Sequence, residues 1–138
     1  MARTFRLDIL TPEHEFFDEQ VTMLTVTAAD GQLCILPGHS PLMAAVREGE
    51  LSLRLPSGEE KWAAASDGFI TITQDEVVLM LESAEWPEDI DRVRAERAER
   101  KARELLLQKQ DRSEYLMTQS MLLRAMTRLR VSSRRKIN

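Results

Sequence analysis

A chain of 138 residues is long enough for one ordinary hydrophobic core, or for one small core plus an appendage that buries little by itself. Its charge is uneven: residues 1–114 carry 13 Lys/Arg against 23 Asp/Glu, net −10, whereas residues 115–138 carry six Arg/Lys and no acid, net +6. The overall charge of −4 and an aromatic share of 5% argue against nucleic-acid binding, which needs a cationic surface or stacking rings, while the basic end calls for an anionic partner.

In the first half apolar residues recur as in strands: Phe5, Leu7 and Ile9, then Leu51, Leu53 and Leu55, then Phe69, Ile70 and Ile72. The pattern predicts strands over 4–10, 21–27, 32–36, 42–46, 50–55, 61–66, 69–73 and 76–81, divided by turn chemistry such as Pro37-Gly38 and Asp67-Gly68. Pro56-Ser57-Gly58 predicts the clearest hairpin. Eight to ten short strands at this spacing favour a sandwich or flattened barrel. Between the first two strands Glu13, Glu15, Asp18 and Glu19 surround Phe16-Phe17, which reads as a solvated turn with two core rings rather than as a carboxylate pair.

At Trp86-Pro87 the period changes from two to three or four. Pro87 at a first helical position, with Glu88, Asp89 and Asp91 near the positive end of the dipole, predicts a helix over 88–108. Its inner face is Ile90, Ala95, Ala98, Ala102 and Leu105. A polar turn then leads to a second helix over 114–131 with a seam at Tyr115, Gln119, Leu122, Met126 and Leu129. The two form an antiparallel hairpin in which residue 94 lies opposite roughly 128. The expected organisation is therefore a β domain over 1–86 and an α-helical hairpin over 87–138.

One cysteine excludes an internal disulfide and fits a reducing compartment. The opening MARTFRLDIL has no apolar leader run and no stretch approaches 18 apolar residues, so the expected place is the cytosol or the periphery of a membrane. Cys34 and His39 stand five apart across a proline corner with no third group to orient them, so no catalytic dyad is expected. His14 and His39 are too few and too isolated for a metal site.

Residues 31–42 read GQLCILPGHSPL. Pro37 and Pro41 remove two amide donors and Gly38 allows a sharp bend, which predicts a rigid projecting corner suited to docking. With FRLDILTPE at 5–13, SDGF at 66–69 and IDRVRAERA at 90–98, this segment resembles the epsilon-subunit family of the rotary F-type ATP synthase over essentially the whole chain. The resemblance implies an N-terminal ten-stranded β-sandwich followed by a C-terminal antiparallel two-helix hairpin. It also implies a non-catalytic central-stalk subunit, peripheral at the cytoplasmic face of the bacterial plasma membrane, which couples gamma to the membrane rotor ring in proton- or sodium-driven ATP synthesis. By the same resemblance Asp30, Gly31 and Gln32 with Pro37, Gly38, His39, Pro41 and Leu42 face the ring and gamma. Many relatives have Gly where this chain has Cys34, and Gly-Gly-Phe where it has Asp67-Gly68-Phe69.

Two functions of the hairpin follow from that likeness. As a brake on ATP hydrolysis, the second helix extends and sets Arg124, Arg128, Arg130, Arg134 and Arg135 against acidic loops of the alpha and beta catalytic subunits, since guanidinium groups stay charged and grip carboxylates bidentately. The competing reading is that basic residues at a helix end complement its dipole. As a latch, some relatives hold regulatory ATP through an I/L-D-x-x-R-A motif and two arginines, matched here by Ile90, Asp91, Arg94, Ala95, Arg124 and Arg128, with Glu85 preceding. Lys101 replaces a further arginine, a point charge instead of a fork. The competing reading there is an Asp–Arg pair on a solvated helix face. No cofactor is required, and the alternative function is a free-standing module whose hairpin closes on ATP.

Overall fold

The computed structural model describes residues 3–134. The chain divides into two compact units, one ending at Glu85 and the other beginning at Trp86.

The first unit is a ten-stranded sheet. Its strands are β1 (Phe5–Leu10), β2 (Glu15–Val21), β3 (Met23–Ala28), β4 (Gly31–Ile35), β5 (Leu42–Val46), β6 (Gly49–Arg54), β7 (Glu60–Ala65), β8 (Gly68–Ile72), β9 (Glu76–Leu81) and β10 (Ala84–Glu85). They run in the order β10-β7-β6-β3-β5-β8-β9-β1-β2, with β4 pairing β3. All ladders are antiparallel except β1 with β9. β3 changes neighbours along its length, from β6 at Met23 to Thr25 to β5 at Ala28, while β4 lines its other edge.

Period-two alternation explains the packing. Leu7 and Ile9, Leu24 and Val26, Leu51 and Leu53, Ile70 and Ile72, and Val77, Leu79 and Leu81 are all buried, so one face of the sheet is enclosed by the sheet itself. This is the sandwich that the alternation predicted. The hairpin at residues 56–58 forms as expected: Gly58 has φ +95°, its N–H donates to the Leu55 carbonyl at 2.9 Å, and the Leu55 N–H donates to Glu59 at 2.8 Å.

Two strands escaped the sequence reading. β10 is only two residues long. Residues 15–21, read as a solvated turn, are strand β2, paired along β1 with Ile9 opposite Phe17 and Leu10 opposite Glu15. Phe16 is the extra residue of a bulge. The bulge breaks the alternation, which is why the segment did not read as a strand.

In the second unit Pro87 opens a 3-10 turn, Pro87–Asp89, and not the long helix predicted from residue 88. Ile90 returns to an extended conformation, and Asp91 then caps α1 (Arg92–Leu106), its carboxylate accepting the Arg94 N–H at 3.0 Å. A second cap at Asp111 starts α2 (Arg112–Ser132), accepting the Glu114 N–H at 2.8 Å. The helices lie side by side, and Arg92 Nη1 donates to Ser132 Oγ at 3.4 Å, within a turn of the expected register.

On α1, Ala95 and Ala102 are buried, as is Ile90 before it, whereas Ala98 and Leu105 are half-buried. On α2 the predicted seam holds at Leu122, Met126 and Leu129, which are half-buried, and is corrected at its first two positions. Tyr115 and Gln119 are exposed and bonded to each other, and the buried positions are Thr118, Ala125, Thr127, Val131 and Ser132. Small residues spaced by seven on both helices allow the backbones to approach, and this close approach outweighs the larger side chains in choosing the face. No helix among the described residues is long and apolar enough to cross a membrane.

Candidate functional site

The loop between β4 and β5 has the geometry its sequence demands. Leu36-Pro37-Gly38-His39 closes with the His39 N–H donating to the Leu36 carbonyl at 3.1 Å, and Gly38 has φ +84°. Proline at the second position and a positive-φ glycine at the third make a type II turn. A Cβ on Gly38 would meet the Arg3 guanidinium at 3.4 Å. His39 Nδ1 lies 2.8 Å from the Ser40 carbonyl and therefore donates to it, which commits that nitrogen to the loop. Cys34 is an exposed residue of β4 without positive φ, the condition for it to stand where relatives carry glycine.

The predicted docking residues do not form one corner. Gly31, with φ +122°, and Gln32 begin β4 just after Asp30, whereas Pro37 to Leu42 follow its far end. Four steps along a strand separate the groups by about 13 Å. Beside the turn, Phe5, Ile72 and His39 line a depression of about 20 Å³, far below the size of a nucleotide site.

Sequence reasoning missed a cluster on the outer face of β1 and β2. Residues 15 and 18 of a regular strand point to opposite faces, but the bulge at Phe16 turns Glu15 to the side of Asp18. Asp8 stands opposite Asp18 in the ladder, and carboxylate oxygens of Asp8, Glu15 and Asp18 all lie within 4.8 Å of one another. Arg6 forks onto Asp18, with Nε and Nη2 each at 2.9 Å from a carboxylate oxygen. That fork holds the Asp18 carboxyl below its ordinary range, while hydrogen bonds shared with Asp18 and then Asp8 raise Glu15 above its own.

On the hairpin Asp91 has a local structural role, because its carboxylate accepts the Arg94 backbone N–H, a bond in which the Arg94 side chain takes no part. The contact of Arg92 with Ser132 brings the start of α1 to the end of α2, so residues 91–94 and 124–132 share one end of the hairpin. Arg124, Arg130 and Arg134 are exposed and Arg128 is half-buried. Arg135 lies outside the described residues. Leu116, Met117 and Leu123 of α2 remain exposed, an apolar surface that pairing with α1 does not cover.

The comparisons with known proteins cover both units. The profile of the ATP synthase delta/epsilon chain β-sandwich domain matches residues 4–87, and that of the long α-helix domain of the same chain matches residues 88–133. An ATP synthase epsilon chain from Caldanaerobacter subterraneus subsp. tengcongensis is 38% identical over 135 residues, 97% of each chain. One from Caldicellulosiruptor saccharolyticus is 37% identical over 132 residues, 96% of each chain. Among solved structures, a chain of the Euglena gracilis mitochondrial ATP synthase F1/c-ring assembly superposes with a TM-score of 0.80 at 20% identity, over 92% of this chain and 79% of that one. A chain of the Tetrahymena thermophila mitochondrial ATP synthase central stalk and c-ring superposes at 0.61 with 14% identity, over 96% of each. These structural likenesses speak for the fold. With both units matched in order and identity near 38% over almost the full length, the chain belongs to the ATP synthase delta/epsilon chain family.

Proposed function

We propose that the chain serves as the non-catalytic epsilon subunit of a rotary ATP synthase, its β-sandwich holding gamma and the membrane rotor ring together and its hairpin restraining ATP hydrolysis. The observation that carries this is the match of the sandwich and the hairpin, in order, to the two domains of that family. Its place is the cytoplasmic face of the bacterial membrane, as a peripheral component of the assembled enzyme, and either proton or sodium drives the rotor.

In the brake, α2 leaves α1 and packs along gamma, and Arg124, Arg128, Arg130 and Arg134 meet carboxylates of the alpha and beta subunits. Two features support it. No acid follows Glu114, so the segment after it carries only positive side-chain charge, which suits an anionic surface. The exposed Leu116, Met117 and Leu123 offer a second packing surface, which brings the paired and extended forms within about a few kcal/mol of each other. The test is ATP hydrolysis by the assembled complex with and without residues after Gln110. Truncation raises the rate; an unchanged rate rejects the brake.

A second reading, regulatory ATP at Asp91, Arg94, Arg124 and Arg128, is favoured by the contact that brings both segments to one end of the hairpin. It competes with the capping role of Asp91.

A further inference from the structure

Helix α2 is buried on two sides. Thr118, Ala125 and Ser132 recur every seven residues on one stripe, whereas Thr127 lies about 200° around the helix from Ala125, with Val131 one turn beyond it. η1 packs on α2 as α1 does, and Pro87 within it and Ile90 after it are themselves buried. Any release of α2 therefore uncovers both stripes.

These stripes hold three buried hydroxyls, and two of them are satisfied. Thr118 Oγ1 donates to the Glu114 carbonyl at 2.9 Å and accepts from Gln110 Nε2 at 3.2 Å. Ser132 Oγ donates to the Leu129 carbonyl at 2.9 Å and accepts from Arg92 Nη1 at 3.4 Å. Thr127 is 1% exposed, and its Oγ1 has no hydrogen-bond partner among the described residues. A threonine inside a helix can return its hydroxyl to the carbonyl one turn back, and Thr127 makes no such bond to Leu123. Gln110 Oε1, at the tip of the hairpin, is likewise buried without a partner, so two of the three such side-chain atoms among the described residues belong to this one unit.

We propose that the Thr127 hydroxyl sets the opening equilibrium of the hairpin: it destabilises the paired form, and the destabilisation is relieved when α2 parts and water reaches Oγ1. An atom of this kind shifts an equilibrium by about tenfold toward the state that hydrates it. Valine has the shape of threonine and nearly its helix propensity, so the hydroxyl is the part of the side chain that carries the effect. The inference deepens the brake described above and rests on it for its consequence in the enzyme, since α2 must leave α1 before it can restrain hydrolysis.

Hydrogen exchange of the full chain reads the pairing, because a helix without its partner opens readily in water. Thr127→Val should slow exchange over residues 120–131 about tenfold. Thr118→Val makes the same change at a bonded hydroxyl, strands the Gln110 amide and should speed exchange about fivefold. Thr127→Ser keeps the hydroxyl and should not slow exchange. In the assembled complex Thr127→Val should raise the rate of ATP hydrolysis toward that of the complex lacking residues after Gln110, and Thr118→Val should lower it. Unchanged or faster exchange in Thr127→Val, or equal slowing in both valine variants, overturns the proposal. Slower exchange with unaltered hydrolysis, in a complex that truncation does activate, overturns the regulatory role and leaves the epsilon reading intact. A complex that truncation does not activate refutes the brake itself, while exchange still decides what the hydroxyl does to the hairpin.

Discussion

Replacing Asp91 separates two explanations of the same motif. In the structure the Asp91 carboxylate accepts the Arg94 N–H at 3.0 Å and terminates the extended residue Ile90, so it satisfies one of the donors left open at the start of α1. Losing an N-cap side chain costs about 1 kcal/mol. Opening of the first turn then becomes about fivefold more frequent, because each 1.4 kcal/mol is a factor of ten. Asparagine caps about as well as aspartate and differs only in the dipole term, a few tenths of a kcal/mol on an exposed turn. Hydrogen exchange of the full chain over residues 92–96 should therefore speed up about fivefold in Asp91→Ala and change little in Asp91→Asn. If alanine leaves exchange unaltered, or asparagine is as damaging as alanine, the capping account is wrong. The same variants bear on ATP. Saturable binding that Asp91→Asn and Arg94→Ala both abolish, with exchange unaffected in the first, would show that the carboxylate serves a ligand as well as the helix; no saturable binding at millimolar ATP removes the latch.

Gly68→Ala should destabilise the sandwich by about 2–4 kcal/mol, because an added Cβ would overlap the Met80 carbonyl oxygen and come within 3.0 Å of Leu81 Cα, forcing β8 from β9. For a unit of this size that is a fall in Tm of at least about 8 °C, and a change below about 3 °C in a calorimetric scan would contradict it. Arg6→Gln should let Asp18 titrate closer to the ordinary carboxylate range in a carboxyl NMR titration, since the guanidinium hydrogen bond is the largest cause of its lowered pKa. The two carboxyls act in opposite directions on stability. Asp18, depressed in the fold, adds stability that is present above its unfolded pKa and lost as pH falls through the folded one, so Arg6→Gln should weaken the chain at neutral pH and not in strong acid. Glu15, raised in the fold, adds stability that is present below its unfolded pKa and lost as pH climbs through the folded one. Urea melts across pH in Glu15→Gln and Arg6→Gln should show these contrary slopes.

Where large aliphatic residues alternate, as with Leu7 and Ile9 in β1, Leu51 and Leu53 in β6, and Ile70 and Ile72 in β8, the sequence was readable without help, because all six are buried. β2 was not readable: its EFFDEQV carries three carboxylates and an adjacent pair of rings, and the bulge at Phe16 removes the periodicity on which any such reading depends. The carboxylate cluster was hidden for the same reason. In the hairpin, Pro87 and Asp91 both carry start signals, and the cap won because it lets Ile90 bury its side chain while Asp91 satisfies a backbone donor. The α2 face was misjudged at Tyr115 and Gln119 because size was weighed above closeness: Thr118, Ala125 and Ser132 are buried more deeply than the larger residues expected there, of which Leu122, Met126 and Leu129 are half-buried. The resemblance supplied the strand count and the family, and with them the roles expected at the docking, latch and brake positions.

The seam of small side chains has a mechanical corollary. A buried methyl contributes about 0.8 kcal/mol, against about 1.5–3 for a leucine, so a hairpin whose buried residues include Ala95 and Ala102 on α1 and Thr118, Ala125 and Ser132 on α2 is a zipper with short teeth. Its grip comes from nearness, and nearness is lost all at once when the backbones part, so separation should be abrupt and should leave little greasy surface on the α1 side to clean up.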